Sequence, residues 1–531
     1  DLWLKASWRG RPPECASVMA FRRSVVRLLR TSRIRRYEHG EAEPSYASTR
    51  TGGYKTFHLP CAFPVQGGVL PELEMAYECW GALNSRRDNV ILLTCGMSAS
   101  SHAASTPEDP SRGWWEDFIG PGRALDTNLF YIICMNNLGG CHGTTGPMKL
   151  NPATGHEYGS DFPRFTVQDV VRSQFAVLDA MNIHSVHAVV GASVGGMLSL
   201  AAAAMFPDRV GKMVSISACA RSFAGSIGFR AAQRAAVLND PGWKGGHYYG
   251  TPGPTEGLKL ARQIGTITYR SGLEWQERFG QKKTSKPQVA DHSLGTEFEI
   301  ESYLDHQGEK WLDQYDPNSF LYISKAADSF TMEMPDASGR PCLREGLRTV
   351  QQPSLVIGVQ HDVLFPVWQQ KEIADTLRAV GNKRVAYFEM DSLSGHDTFL
   401  LDPVGIGGAV KGHIEQEPGG ASRLWEDASA ALGDAFTKLL AHDLSDRSLR
   451  RVFDACGRPG QAQVDAQKLA AIVKFLWGKY PHRPTGLAQE DIDALFRQMD
   501  SDADGLVSFE EFRTARNVVV GNPASMTEGL P

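Results

Sequence analysis

The pentapeptide Gly191-Ala192-Ser193-Val194-Gly195 stands between a short apolar run, His187 to Val190, and an alanine-rich stretch, Gly196 to Phe206, that stops before Pro207. A chain passing from strand to helix in so few residues must turn sharply. Side chains flanking such a turn would collide with the neighbouring strand and helix, and glycine on both sides removes the collision. Ser193 is then held at the tip of the turn, hydroxyl outward, beside the positive end of a helix dipole. The junction calls for a strand buried on both faces with a helix behind it, which is the unit of a parallel sheet wound with helices.

The rest of the chain supplies that rhythm. Val90 to Thr94 and Leu129 to Met135 are short apolar runs suited to buried strands, and Lys212 to Ser217 is another. Phe165 to Met181 has helical spacing, with Val167, Val170, Val171, Phe175, Leu178 and Met181 on one face. From about Arg221 to Leu343 the pattern becomes mostly helical and includes the irregular GWKGGHYYGTPGP; strands return at Pro353 to Val359 and Arg384 to Met390. The expected architecture is a doubly wound α/β domain over 54–415, with a helical lid at about 221–345 over the C-terminal edge of the sheet. A basic segment and linker (1–53) precede it. A linker or helix (416–444) and a small all-α module (445–520) follow it.

Composition excludes several classes. The 531 residues carry a formal charge of −5, with 42% hydrophobic and 22% charged residues, as expected of a globular protein of more than one domain. No basic block follows residue 36, which argues against nucleic acid as a partner. No apolar run reaches bilayer-spanning length. Nine scattered cysteines without a C-x-x-C pair suggest buried thiols in a reducing compartment. From Met19 the text reads MAFRRSVVRLLRTSRIRR, basic and amphipathic without an acid, the composition of a mitochondrial or plastid transit peptide.

The chemistry follows from Ser193. G-x-S-x-G between strand and helix is the nucleophile elbow of the α/β-hydrolase fold, in which the chain order is Ser, then Asp or Glu, then His. Asp362 follows the strand SLVIGV, and His396 follows the strand RVAYFEM. Each has a plain alternative role: Asp362 could cap a helix near Pro366, and His396 could be an ordinary loop histidine. Taken together, three residues in the required order at three strand ends form a candidate nucleophile, base and orienting acid. Met97, in the loop after VILLT, and Val194, next after the nucleophile, are the candidate oxyanion-hole amides.

The segments LTCGMSASSHA, GWWEDFIGPGRALDT, NNLGGCHGTTGP, GASVGGM, ARQIGTITYRS, SYLDHQGEKWLDQYDPNSFLYISKA, DVLFPVWQQ and SGHDTFLLD resemble the homoserine O-acetyltransferase family, which also holds serine O-acetyl- and O-succinyltransferases. The resemblance runs from about Tyr54 to Asp402. It implies ping-pong transfer of an acyl group, acetyl or succinyl, from an acyl-CoA co-substrate through Ser193 to the hydroxyl of a small amino acid, O-acetylation of homoserine first, with a homodimer as the assembly. It also implies that Arg262 holds the amino acid's carboxylate and Asp397 its ammonium. Their alternatives are a surface salt bridge and a helix N-cap. Rival readings are a serine acceptor, an esterase or thioesterase using water, and a non-catalytic calcium-binding protein.

Near the C-terminus, Asp500-Ser501-Asp502-Ala503-Asp504-Gly505-Leu506-Val507-Ser508-Phe509-Glu510-Glu511 fits a twelve-residue EF-hand loop. Asp500, Asp502, Asp504 and Glu511 supply carboxylates, the Leu506 carbonyl takes the seventh position, and Ca2+ is the expected ion. Upstream, Asp454 opens a degenerate partner loop in which Lys468 stands where the bidentate glutamate belongs. A lysine there repels a cation, so one calcium site is expected.

Overall fold

Strands form where β-branched runs can be buried on both faces, because branched side chains pack well there and lose little freedom. The computed structural model describes residues 53–284 and 295–416, with the dipeptides Gln463–Val464 and Val507–Ser508. The main sheet has eight strands: β1 (Lys55–Leu59), β2 (Leu73–Trp80), β3 (Val90–Thr94), β4 (Tyr131–Met135), β5 (Ala188–Ala192), β6 (Met213–Ile216), β7 (Ser354–Val359) and β8 (Val385–Met390). Their spatial order is β1-β2-β4-β3-β5-β6-β7-β8. β2 pairs antiparallel with β1 and β4, and the remaining pairings are parallel. This is an α/β-hydrolase sheet.

Every residue of β3, β5 and β7 is buried. Alternation divides the core: Val90 and Leu92 pack with Phe175, Leu198 and Ile373 on one face, and Ile91 and Leu93 with Trp115, Phe118 and Val410 on the other. Helix α1 (Val167–Ala180) starts with a capping box, in which Thr166 Oγ1 accepts the Asp169 amide at 3.1 Å and the Asp169 carboxylate accepts the Thr166 amide at 2.9 Å. Helix α2 (Val194–Met205) is apolar over most of its surface because it lies in the core.

Between β6 and β7 the chain leaves the sheet for a helical insertion. It contains α3 (Ala224–Asn239), α4 (Thr255–Tyr269), α5 (Gly272–Arg278), α6 (Glu299–Leu312), α7 (Pro317–Asp328) and α8 (Leu343–Leu347). After β7 come α9 (Val367–Ala379), α10 (Thr398–Leu401) and α11 (Gly405–Glu415). The elbow is tighter than the sequence spacing suggests. β5 runs on through Ala192 and α2 already starts at Val194, so Ser193 alone makes the turn.

Residues 1–52, which hold the basic segment, and the calcium-loop residues Asp500, Asp502, Asp504, Leu506 and Glu511 lie outside the described residues. Within the C-terminal region, Gln463–Val464 pairs antiparallel with Val507–Ser508, with Val464 opposite Val507. Among the described residues no helix is long and apolar enough to cross a membrane.

Helix α11, the last among the described residues, is fastened by a buried cation. Lys212 Nζ donates to the carbonyl oxygens of Ile414 at 2.7 Å, His413 at 3.2 Å, and Gln416, groups that the C-terminus of α11 leaves without helical partners. Burial, reinforced by this lysine, holds the His413 imidazole down at about 4. An imidazole depressed from 6.5 in the folded state favours folding only while neutral. Its contribution is therefore complete above pH 6.5 and lost as the pH falls toward 4, where the unfolded chain binds the extra proton. We expect His413→Gln to flatten the stability-versus-pH curve across that window by on the order of 3 kcal/mol. Denaturant midpoints across the window check this, and unchanged acid sensitivity would refute it.

Candidate active site

Three strand ends converge. Ser193 sits between β5 and α2, Asp362 three residues beyond β7, and His396 in a short helical turn, Gly395–Asp397, after β8. His396 Nε2 lies 2.9 Å from Ser193 Oγ, and His396 Nδ1 lies 2.7 Å from Asp362 Oδ2. A carboxylate can only accept, so Nδ1 carries the proton and Nε2 is left to accept from the serine hydroxyl. All three residues are buried, at 8%, 4% and 3% exposure, which keeps water from competing for these bonds.

Local structure explains the placement. Ser193 adopts φ 59° and ψ −126°, a conformation that L-residues disfavour by about 1–3 kcal/mol. A Cβ at Gly191 would lie 2.1 Å from Thr94 Oγ1, and one at Gly195 would lie 2.3 Å from the Thr94 carbonyl oxygen. Thr94 Oγ1 in turn lies 2.7 Å from the Gly195 carbonyl and 3.1 Å from that of Val190, bridging strand and helix. Asp362 Oδ2 holds the histidine, while Oδ1 accepts the Phe365 amide at 2.7 Å in the loop before α9, a helix that begins after Pro366 without a side-chain cap. His396 is walled by aromatic rings, stacked on Phe365 with centroids 5.1 Å apart and edge-on to Phe399 at 5.4 Å. These contacts fix the plane of the imidazole.

The cavity beside Ser193 is lined by Met97 and Val194, the two residues expected to supply amides, and by Ser98, Tyr269, Phe365, His396 and Asp397. The Met97 loop is tied from two sides. Its carbonyl accepts the Tyr315 hydroxyl at 2.6 Å, and the Gly96 carbonyl accepts Asn137 Nδ2 at 3.2 Å. Burial raises the Tyr315 phenol well above its ordinary value, so it stays a donor.

Arg262 and Asp397 are both buried, which rules out a surface salt bridge for the arginine. Asp397 lines the cavity, makes no side-chain cap on α10, and pairs through Oδ2 with Arg270 Nε at 2.9 Å. Arg262 has its guanidinium 5.4 Å from the ring centres of both Trp311 and the cavity-lining Tyr269. Tyr269 feels both charges. Burial and the Asp397 charge raise its phenol, and Arg262 partly offsets them. Sequence reasoning did not single out Tyr269, Arg270, Tyr315 or Asn137. Tyr269 and Arg270 lie within ARQIGTITYRS, but nothing in their spacing distinguishes them. Among the described residues no group of three metal-ligating side chains comes together.

Comparison with known proteins agrees with this geometry. Residues 89–403 match the model of the alpha/beta hydrolase fold. The chain is 44% identical to a serine O-succinyltransferase of Emericella nidulans over 433 residues, 70% of this chain and 83% of that protein. It is 43% identical to a homoserine O-acetyltransferase of Symbiobacterium thermophilum over 338 residues, 63% of this chain and 87% of that protein. The crystal structure of homoserine O-acetyltransferase from Bacillus anthracis superposes with a TM-score of 0.62 at 31% identity, covering 68% of this chain and 98% of that one. The chain is an acyltransferase that belongs to the homoserine/serine O-acyltransferase family of the α/β-hydrolase fold.

Proposed function

We propose that this chain moves an acyl group from an acyl-CoA thioester to the hydroxyl of serine or homoserine by a ping-pong reaction through Ser193. The observation that carries the reading is the hydrogen-bonded chain from Asp362 through His396 to Ser193 at the wall of a buried cavity. His396 Nε2 takes the serine proton as Oγ attacks the thioester carbonyl, and Asp362 stabilises the imidazolium that forms. The amides of Met97 and Val194 are the donors assigned to the developing oxyanion. The tetrahedral adduct expels the CoA thiolate, which leaves with the proton from His396, and an acyl-Ser193 ester remains. In the second half His396 removes the proton of the amino-acid hydroxyl, whose oxygen attacks the ester; as the bond from the acyl carbon to Oγ breaks, His396 returns that proton to Ser193.

The acceptor is a zwitterion, and the cavity carries matching groups. Asp397 lines it beside His396 and suits an ammonium, while Arg262, 5.4 Å from the ring centre of the lining Tyr269, suits a carboxylate. The helical insertion acts as the lid in this reading: Arg230, Gln233, Thr268 and Tyr269 of the cavity wall all belong to it. A cover of this kind keeps water from the acyl-enzyme. Replacing the nucleophile, as in Ser193→Ala, should lower CoA release by about four orders of magnitude or more. With the native protein, sustained CoA release should require serine or homoserine. Release that continues equally fast without either amino acid would identify a hydrolase instead.

The C-terminal module we assign to calcium. Three aspartates, a glutamate and a backbone carbonyl make an all-oxygen donor set suited to this ion. The antiparallel pairing of Val464 with Val507 supports a paired-loop arrangement, since it sets the degenerate loop alongside the eighth position of the intact one. Titration calorimetry should find one calcium ion per chain, lost in Glu511→Gln. Two ions, or none, would overturn the assignment.

A further inference from the structure

A second histidine, His102, is as deeply buried as His396 and takes no part in the reacting chain. It lies in the long loop after β3, 2% exposed, with both ring nitrogens engaged. Nδ1 lies 2.8 Å from Oε2 of Glu78, a buried carboxylate on β2, and 3.8 Å from Asp109 Oδ2. Nε2 lies 2.9 Å from the Ser111 carbonyl oxygen and 3.2 Å from Ser111 Oγ. A serine, a histidine and a glutamate thus stand in line, as at the active site, but with the opposite polarity. The Ser111 hydroxyl gives its proton to Asp109 Oδ1 at 2.6 Å, so toward His102 it can only accept. Carboxylate and carbonyl oxygens also only accept. Each ring nitrogen has to donate, and the imidazole that fits is the doubly protonated one. Burial by itself would lower the pKa of this ring. The Glu78 hydrogen bond and charge, the Ser111 carbonyl and Asp109 outweigh burial and raise it above the usual 6.5. The Cys134 thiol stands opposite Glu78 on β4, and burial keeps it protonated.

What the pair holds is part of the wall beside Ser193. Met97, Ser98 and Ala99, at the start of this loop, line the cavity, and so does Trp114 near its end. Both stretches are tied down at residues 100–103. Ser101 Oγ donates to Glu78 Oε1 at 3.0 Å, and the Ser100 carbonyl accepts Trp114 Nε1 at 2.9 Å. The amides of Trp114 and Trp115 donate to the carbonyls of His102 and Ala103 at 3.3 and 2.7 Å. Among these ties the contact between His102 and Glu78 joins two charges away from water, which makes it the strongest. We propose that the Glu78–His102 pair is a positioning element of the transfer reaction, holding the Met97 loop so that the Met97 amide faces the oxyanion formed at Ser193. The proposal rests on the acyl-Ser193 reading and names what keeps its Met97 donor in place. Loss of the Nε2 proton would set a lone pair against the Ser111 carbonyl oxygen at 2.9 Å and push the two apart. The loop is then loosened above the pH at which His102 titrates. Acylation should lose rate on the alkaline side, where a serine with a neutral histidine base would otherwise keep it.

The test follows single-turnover release of CoA from acetyl-CoA and from succinyl-CoA by the full-length protein. No amino acid is added, so no acceptor ammonium titrates. The native rate should fall on the alkaline side, and that limb should coincide with loss of the second His102 ring proton in NMR spectra of isotope-labelled histidine. Glu78→Gln keeps a hydrogen-bonding side chain but removes the charge, and the limb should move down by about one to three pH units. His102→Gln does not titrate. In that variant the limb should vanish, and the rate near neutral pH should drop by about ten- to a hundredfold. The half-saturating acyl-CoA concentration should change little, because the Met97 amide acts on the transition state. An alkaline limb that stays in place in both variants overturns the proposal. So does a native His102 that carries a single ring proton near neutral pH, a measurement that decides the matter even where a variant does not fold. If the native protein releases no CoA from either thioester at any pH, the acyl-Ser193 reading has failed. The positioning role then falls with it, whatever the charge on His102.

Discussion

The tight seam between the end of β3 and the turn at Ser193 governs the rest of the site. Thr94 sits where strand, turn and helix meet, its hydroxyl within hydrogen-bond distance of the carbonyls of Val190 and Gly195 and of Ser199 Oγ. Contact this close is possible only because positions 191 and 195 carry no Cβ. With both faces of the turn clamped, Ser193 has nowhere to relax, and it keeps a left-handed backbone that it would otherwise leave. The strain is set against the packing of two buried elements, whose apolar contacts contribute far more than a few kcal/mol. Once Oγ is fixed, the partners need only lie at the ends of β7 and β8, which the parallel sheet delivers on the same edge.

The helical insertion is joined to the reacting atoms rather than laid over them. Tyr315 reaches from the insertion to the Met97 carbonyl, so the loop assigned to the oxyanion is braced by a residue more than two hundred positions away. On the other side, Gly395 has φ +58° and approaches the backbone of Tyr269, Arg270 and Ser271 so closely that a Cβ there would lie 3.0–3.1 Å from it. The turn carrying His396 and Asp397 thus rests on the junction between α4 and α5, and the Asp397–Arg270 ion pair crosses the same contact. A shift of the insertion would move the histidine turn and the Met97 loop together. The histidine turn and the Met97 loop are thus both braced by the insertion through these three contacts.

The legible and illegible parts of the fold divide along physical lines. Central strands such as VILLT and SLVIGV were readable because burial on both faces leaves an uninterrupted apolar run. The edge pair β1 and β2 was not separated by that reading. Leu73–Trp80 has one face only partly covered, so its pattern mixes apolar and polar residues and lacks a run to mark it. The positions of Ser193, Asp362 and His396 were legible because strand ends on one sheet edge must meet there. The surrounding wall was not. Tyr269, Arg230 and Tyr315 come from an insertion whose helices fold back by tertiary packing, and helical periodicity reports which residues face inward without saying what they face. Arg230 illustrates this: as the inward-facing position of an Ala-rich helix it looks like an ordinary interruption of an apolar stripe.

A serine, a histidine and an aspartate in contact have no intrinsic preference between water and an alcohol, so the distinction between hydrolysis and transfer has to lie in the wall. The wall here is unusually charged for a buried surface. Arg230 with Asp328 and Arg234, and Arg270 with Asp397 and Glu274, all lie within or against the cavity. Withdrawing such groups from water costs several kcal/mol per ion, and mutual pairing recovers that cost only in part. A pocket for a neutral ester would be more stable lined with apolar side chains of similar volume. A charged ligand can add to such pairing with fixed geometry, which a mobile water does less well. In the proposed reaction the zwitterionic acceptor is the ligand for which such a wall is complementary.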